Sequence, residues 1–221
     1  MHTLLRSRIA LGILTLSTCQ GFAHPRPPKV ISGPPLVIRV YSLPDIPPRT
    51  LNQAMHDAAR ILATAAVDAM WQQGRAGAPE SRIVDQSFPV LGKNPGYQAR
   101  GYIVVVIVRG VPARCFPGAL GYALPHARVG ANATIFYDRI ERLTEPGGIE
   151  LSTALGCAVA HEIGHVLLGS TEHSHKGIMK GVWNAGDFRM SSLAAVGFTA
   201  SQRLAIQKRL SIEEIEGSRV E

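Results

Sequence analysis

Residues 151–179 read LSTALGCAVAHEIGHVLLGSTEHSHKGIM. The first ten are apolar or small on every side, apart from Ser152 and Thr153, which predicts a helix over about 151–168 lying inside a core. Four residues advance an α-helix by about 400°, so His161 and His165 leave nearly the same face, about 6 Å apart along the axis. Two imidazoles so placed suit a single tetrahedral zinc ion. Glu162 is one residue on, beside the pair, where a carboxylate reaches a water on the metal without becoming a ligand. A buried helix seldom carries such polar groups without a purpose, because burying them is costly.

Zinc in a catalytic site takes three protein ligands and keeps a fourth position open. Gly169 is the expected end of the helix, since glycine tolerates the left-handed turn that redirects the chain. His173 follows four residues later and His175 two after that. His173 is the first choice for third ligand, being nearer the turn and followed by Ser174; His175 and Glu172 are the alternatives. Cys157, one turn before His161, is a conceivable ligand that the downstream histidines fit better.

The order Gly, third His and Met after a helical HExxH resembles the metzincin clan of zinc peptidases. Residue by residue, His161, Glu162 and His165 match the helical motif, Gly169 the turn glycine, His173 the third ligand and Met179 the methionine of the turn beneath the metal. The form HEIGHVLLG…HS..GIM is also similar to a group of bacterial secreted proteins without assigned function. That likeness extends more weakly through YALP, IFYDRI and FTASQ, over most of residues 36–210. The spacing departs from the clan's pattern: glycine and third histidine fall eight and twelve residues after the first histidine, not seven and ten. The third ligand is therefore not fixed by the motif. The resemblance implies a zincin-like α+β domain, one catalytic zinc ion, and a peptide or protein substrate laid along an edge strand just before the active helix. Residues 133–138, with Phe136 and Tyr137, occupy that place. A glutamate from a later helix, as in gluzincins, would have to come from Glu213 or Glu214, which sit in a polar tail.

The rest of the chain fits one exported domain. Its 221 residues suffice for one core, and charged residues are 18% against 46% hydrophobic, which excludes a disordered polyelectrolyte or a membrane bundle. Residues 1–23 read as a signal peptide, with Arg6 and Arg8, the apolar IALGILTL and small residues at the cleavage positions. The apolar run is too short to span a bilayer. Cys19 only faintly resembles a lipid-attachment site, so the protein is expected to be secreted or periplasmic. Without Arg6 and Arg8 the net charge of +7 falls to +5. The remaining cations are scattered, without a run interleaved with aromatics, so no nucleic-acid partner is expected. Cys115 and Cys157 either pair in a disulfide or stay as two buried thiols.

Residues 24–35 are a Pro-rich tether. Residues 36–43 predict a first strand, 49–72 a helix, 82–90, 102–108, 120–124 and 133–138 further strands, and 199–210 a terminal helix opened by a Thr199–Gln202 capping pair. His56 is an ordinary helix histidine. Asn132 begins a glycosylation sequon. The fold class is α+β: one twisted mixed sheet with two main helices and a C-terminal helix, over residues 36–221. Two rival functions stand beside a peptidase. One is a secreted module in which zinc only staples the C-terminal half, against which Glu162 argues; the other is a zinc hydrolase of non-peptide amides.

Overall fold

LVIRVYS, at Leu36–Ser42, is β-branched and apolar on both faces, and it becomes a central strand, β1. The computed structural model describes residues 35–43, 45–75, 102–110, 115–126, 132–145, 148–183, 187 and 196–217. In chain order the elements are β1, α1 (Pro48–Ala63), β2 (Ala69–Arg75), β3 (Tyr102–Val108), β4 (Gly121–Ala123), β5 (Ala133–Phe136), α2 (Tyr137–Thr144), α3 (Leu151–Leu168) and α4 (Ala200–Gly217). The five strands form one mixed sheet in the order β2-β1-β3-β5-β4. All neighbours are parallel except β4, which runs antiparallel to β5. The expected α+β class holds. The signal peptide, the tether up to residue 34 and the strand expected at 82–90 lie outside the described residues.

Two elements differ from expectation. The helix expected over 49–72 stops at Ala63. Thr64 Oγ1 donates to Ile61 O at 2.6 Å, and Ala66 takes the left-handed conformation at φ 55°, which reverses the chain. Ala69–Arg75 then pairs in parallel with β1 from Leu36↔Ala69 to Ser42↔Arg75. The helix-forming alanines and methionine of this stretch are overruled by a long-range ladder. The second difference is the strand expected over 133–138. It ends at Phe136, and Tyr137 opens α2, whose turns are spanned by an ion pair from Arg142 Nη2 to Asp138 Oδ2 at 2.9 Å.

The core lies between one face of the sheet and the two long helices α1 and α3. Ile38 and Val40 of β1, Ile103, Val105 and Ile107 of β3, and Ile135 of β5 meet Leu51, Ala54, Met55, Ala58, Ile61 and Leu62 of α1 there. The two helices approach very closely at Gly156, where a Cβ would stand 2.6 Å from Ala54 O. Asp57 of α1, buried, accepts from Thr153 Oγ1 at 3.2 Å and from Gln53 Nε2 at 3.1 Å. It brings an acidic group to the first turn of α3, a helix that has no side-chain cap of its own. Asn132, the sequon asparagine, has its carboxamide oxygen committed to the Val104 N–H at 2.9 Å, so it serves the sheet.

Among the described residues α3 alone is long and apolar enough to cross a membrane by length and composition. Here it is the central core helix, with every residue from Ala154 to His165 buried. At the other end of the chain, Thr199 and Gln202 form the expected reciprocal cap of α4. Thr199 N–H donates to Gln202 Oε1 at 2.9 Å and Gln202 N–H to Thr199 Oγ1 at 3.4 Å.

Candidate metal centre

The last two turns of α3 carry the polar groups of the site. His161, Glu162 and His165 retain 8%, 6% and 5% of their accessible surface. The helix ends as expected at Gly169, left-handed at φ 62°, and Ser170 N–H bonds back to His165 O at 3.2 Å. This turn sends the chain under the helix and returns His173 to it. The His173 ring stacks on His161 with centroids 5.2 Å apart and meets His165 edge-on at 4.9 Å. One ligand atom from each of His161, His165 and His173 lies within 4.8 Å of the others. His175 and Glu172 are exposed and outside this group, as is Cys157. Cys115 and Cys157 carry free thiols, and burial pushes Cys157 up to about 12, so it holds its proton.

Hydrogen bonding settles the tautomers. His161 Nδ1 is 2.7 Å from Ile178 O and His165 Nδ1 is 2.8 Å from Ser170 O. A carbonyl oxygen only accepts, so each Nδ1 carries the proton and each Nε2 is a bare lone pair. Burial holds both rings below the ordinary histidine range, His161 down to about 4, and so keeps them neutral. The two Nε2 atoms nevertheless face each other at 3.1 Å. Two lone pairs at that distance repel unless a cation lies against both. Zinc–nitrogen bonds of about 2.0–2.1 Å at the tetrahedral angle would separate two ligand nitrogens by about 3.3–3.4 Å, close to what is seen. The carbonyl partners on the far nitrogens are those that metal-binding imidazoles use. The donor set fits zinc.

The Glu162 side chain lies against β4. A Cβ added at Gly121 would stand 3.0 Å from Glu162 Cγ and 3.1 Å from its Oε1. Only a glycine there leaves room for the carboxylate beside the edge strand, and nothing in GYA, read alone, announces this. Burial pushes Glu162 up to about 8. Linkage then gives a sign for the metal-free protein. Between pH 4.5 and 8 the folded state holds a proton that the unfolded chain has released, so stability falls as pH rises. His161 acts oppositely but only between about 4 and 6.5, where the unfolded chain binds the extra proton. His165, whose ring burial also lowers, acts in the same sense as His161, and above pH 6.5 neither opposes Glu162. Urea unfolding in chelator should therefore show a loss of about 2 kcal/mol from pH 6.5 to 8, and Glu162→Gln should remove it. Equal wild-type stability at the two pH values would contradict the burial of this carboxyl.

Met179 is fully buried beneath α3, and a side chain at Gly164 would drive into its sulfur and into Phe198. Phe136 and Tyr137 are not where a substrate strand was expected. Both are buried, Tyr137 belongs to α2, and β5 has β3 on one side and β4 on the other. The edge is β4. Leu120 O accepts from Phe136 N–H at 2.8 Å and Leu124 N–H donates to Asn132 O at 2.7 Å, so residues 120, 122 and 124 turn their backbone groups to β5. By antiparallel alternation the N–H and C=O of Gly121 and Ala123 point away from β5, to the side of β4 that no other strand of the described residues covers. Trp183, which sequence reasoning passed over, stands edge-on to His161 with centroids 6.5 Å apart.

No protein-family model matches this chain, and no curated protein matches it in sequence. Solved structures do resemble it in fold. Archaemetzincin from Methanopyrus kandleri superposes with a TM-score of 0.52 at 17% identity, over 83% of this chain and 99% of that one. A zinc-dependent peptidase from Methanocorpusculum labreanum (strain Z) does so with a TM-score of 0.50 at 13% identity, over 76% and 99%. The α+β fold is thus zincin-like.

Proposed function

We propose that this chain is an exported zinc-dependent endopeptidase with Glu162 as its general base. The observation that carries the reading is the convergence of three imidazoles, two of them locked as Nε2 donors, next to a buried carboxyl on the same helix. The fold shared with an archaemetzincin and a zinc-dependent peptidase supports it. A zinc ion bound there supplies Lewis acidity and lowers the pKa of a water at its open position to about 7. Everything else belongs to the chain. Ile178 O and Ser170 O fix the ring orientations of His161 and His165. A cation held by the three imidazoles would favour the ionised form of Glu162, which burial alone disfavours, so that the carboxylate can take the proton from the attacking water and return it to the leaving amine.

Substrate orientation follows from the sheet. An extended peptide adds to the outer side of β4, the sheet's edge among the described residues, through the outward groups of Gly121 and Ala123, and so lies alongside Glu162. Such backbone recognition favours a peptide over a small amide, and the outward groups have no role in a site that only staples the fold. Residues 1–23 supply the export reading, which places the substrate outside the cell or in the periplasm. Purified protein loaded with one equivalent of zinc is expected to cleave an unfolded protein such as reduced, alkylated casein. Chelation should abolish the cleavage and added zinc restore it. A zinc-loaded, folded protein with no turnover on peptides would leave the stapling module standing, and turnover confined to acyl-amino compounds the amide hydrolase.

A further inference from the structure

Resting on the metal-site reading above, we infer that one small loop orients two of the three imidazoles, and that Gln202 of α4 latches this loop from outside while Gly181 backs His173. The loop is closed on itself. Ser174 N–H donates to Met179 O at 2.8 Å, and Ser174 and Lys180 form a parallel bridge. Within it, Ile178 O accepts from His161 Nδ1 at 2.7 Å, so its backbone sets that ring. Ile178 N–H is in turn bonded to Gly197 O at 3.2 Å. Gly177 is left-handed at φ 75°, and a Cβ there would stand 2.5 Å from the same Gly197 oxygen. The loop thus lies directly on the segment that leads into α4.

His173 sits at the mouth of this loop, next to Ser174. A Cβ at Gly181 would be 3.0 Å from His173 Cγ and 3.1 Å from its Cβ, at the root of the side chain where it cannot swing aside. Ser174 Oγ donates to Lys176 O at 2.7 Å and accepts from Gln202 Nε2 at 3.2 Å. Gln202 therefore has two tasks: its Oε1 caps α4 through Thr199 N–H, and its Nε2 holds the residue after His173. The two residues added to the usual spacing between first and third histidine remove the helix end as a sufficient guide for His173. The latch and the glycine backing supply the missing constraint. These are positioning residues: none of them belongs to the three-histidine cluster.

The test uses the full chain. Gln202→Glu keeps an oxygen for the cap but has no N–H for Ser174; Ser174→Ala removes the other partner; Gly181→Ala presses on His173. Zinc affinity, measured by competition with a chromogenic chelator, should fall about tenfold in each, with thermal unfolding of the chelated protein little changed for Gln202→Glu. The Gln202→Glu/Ser174→Ala double variant should lose no more than either single one. A second readout needs no metal. Histidine ring 15N signals of the chelated protein should shift for His161 and His173 in the variants, while His165, held by Ser170, stays in place. If wild type fails to bind zinc yet these ring signals move, the metal reading falls and the positioning stands. Unmoved ring signals together with unchanged zinc affinity overturn the inference.

Discussion

Glu162→Gln is expected to keep one zinc per chain and to lose at least about a thousandfold in turnover of an unfolded protein, measured with saturating zinc. The physical basis is that glutamine has almost the same shape but no basic oxygen. Glu162 is not a member of the three-imidazole cluster, so metal content should not follow its charge. Its environment makes the substitution benign for folding. The carboxyl is buried, burial already favours its neutral form, and the carboxamide is neutral at every pH. A simple structural defect would lower zinc content and stability together with turnover. A variant that retains zinc, folds at least as well as wild type and is inactive isolates proton transfer as the lost function. Substantial turnover in that variant would remove Glu162 from the role of base.

The second large effect separates the two downstream histidines. His173→Ala should weaken zinc binding by more than about a hundredfold, beyond the loss typical of an outer-shell partner, whereas His175→Ala should leave it near wild type. His173 and His175 are both exposed, but His173 lies on the rings of both His161 and His165, whereas His175, two residues on, is outside the cluster. The distinction rests on the loop: the bridge between Ser174 and Lys180 fixes which residue faces the helix. The opposite result, with His175 required and His173 dispensable, would mean that the loop turns over when the metal binds.

How much of this could be read in advance depends on the range of the interactions involved. The helix over residues 151–168, its end at Gly169 and the shared face of His161 and His165 follow from local periodicity and one left-handed glycine, and all are found. The Thr199–Gln202 cap is equally local. Residues 69–75 were misread because their composition suits a helix, while their strand state comes from β1, more than thirty positions upstream. Residues 137–144 were missed because IFY reads as a continuing strand; the cue was the Asp138–Arg142 spacing in DRIER. The edge of the sheet was assigned to residues 133–138 because the metzincin resemblance implies an edge strand just before the active helix. The true edge, β4, is a three-residue strand whose position outside β5 is a matter of tertiary pairing. Gly121 beside Glu162 and the Ile178 carbonyl on His161 were invisible for the same reason: no local pattern marks a backbone atom that serves a distant side chain.

The most direct measurement is X-ray absorption at the zinc edge on protein loaded with one equivalent of metal. The structure predicts three imidazoles and one further light-atom ligand at about 2.0–2.1 Å, falling to two imidazoles in His173→Ala. A sulfur ligand at about 2.3 Å, or an imidazole count that does not change when His173 is removed, would contradict it.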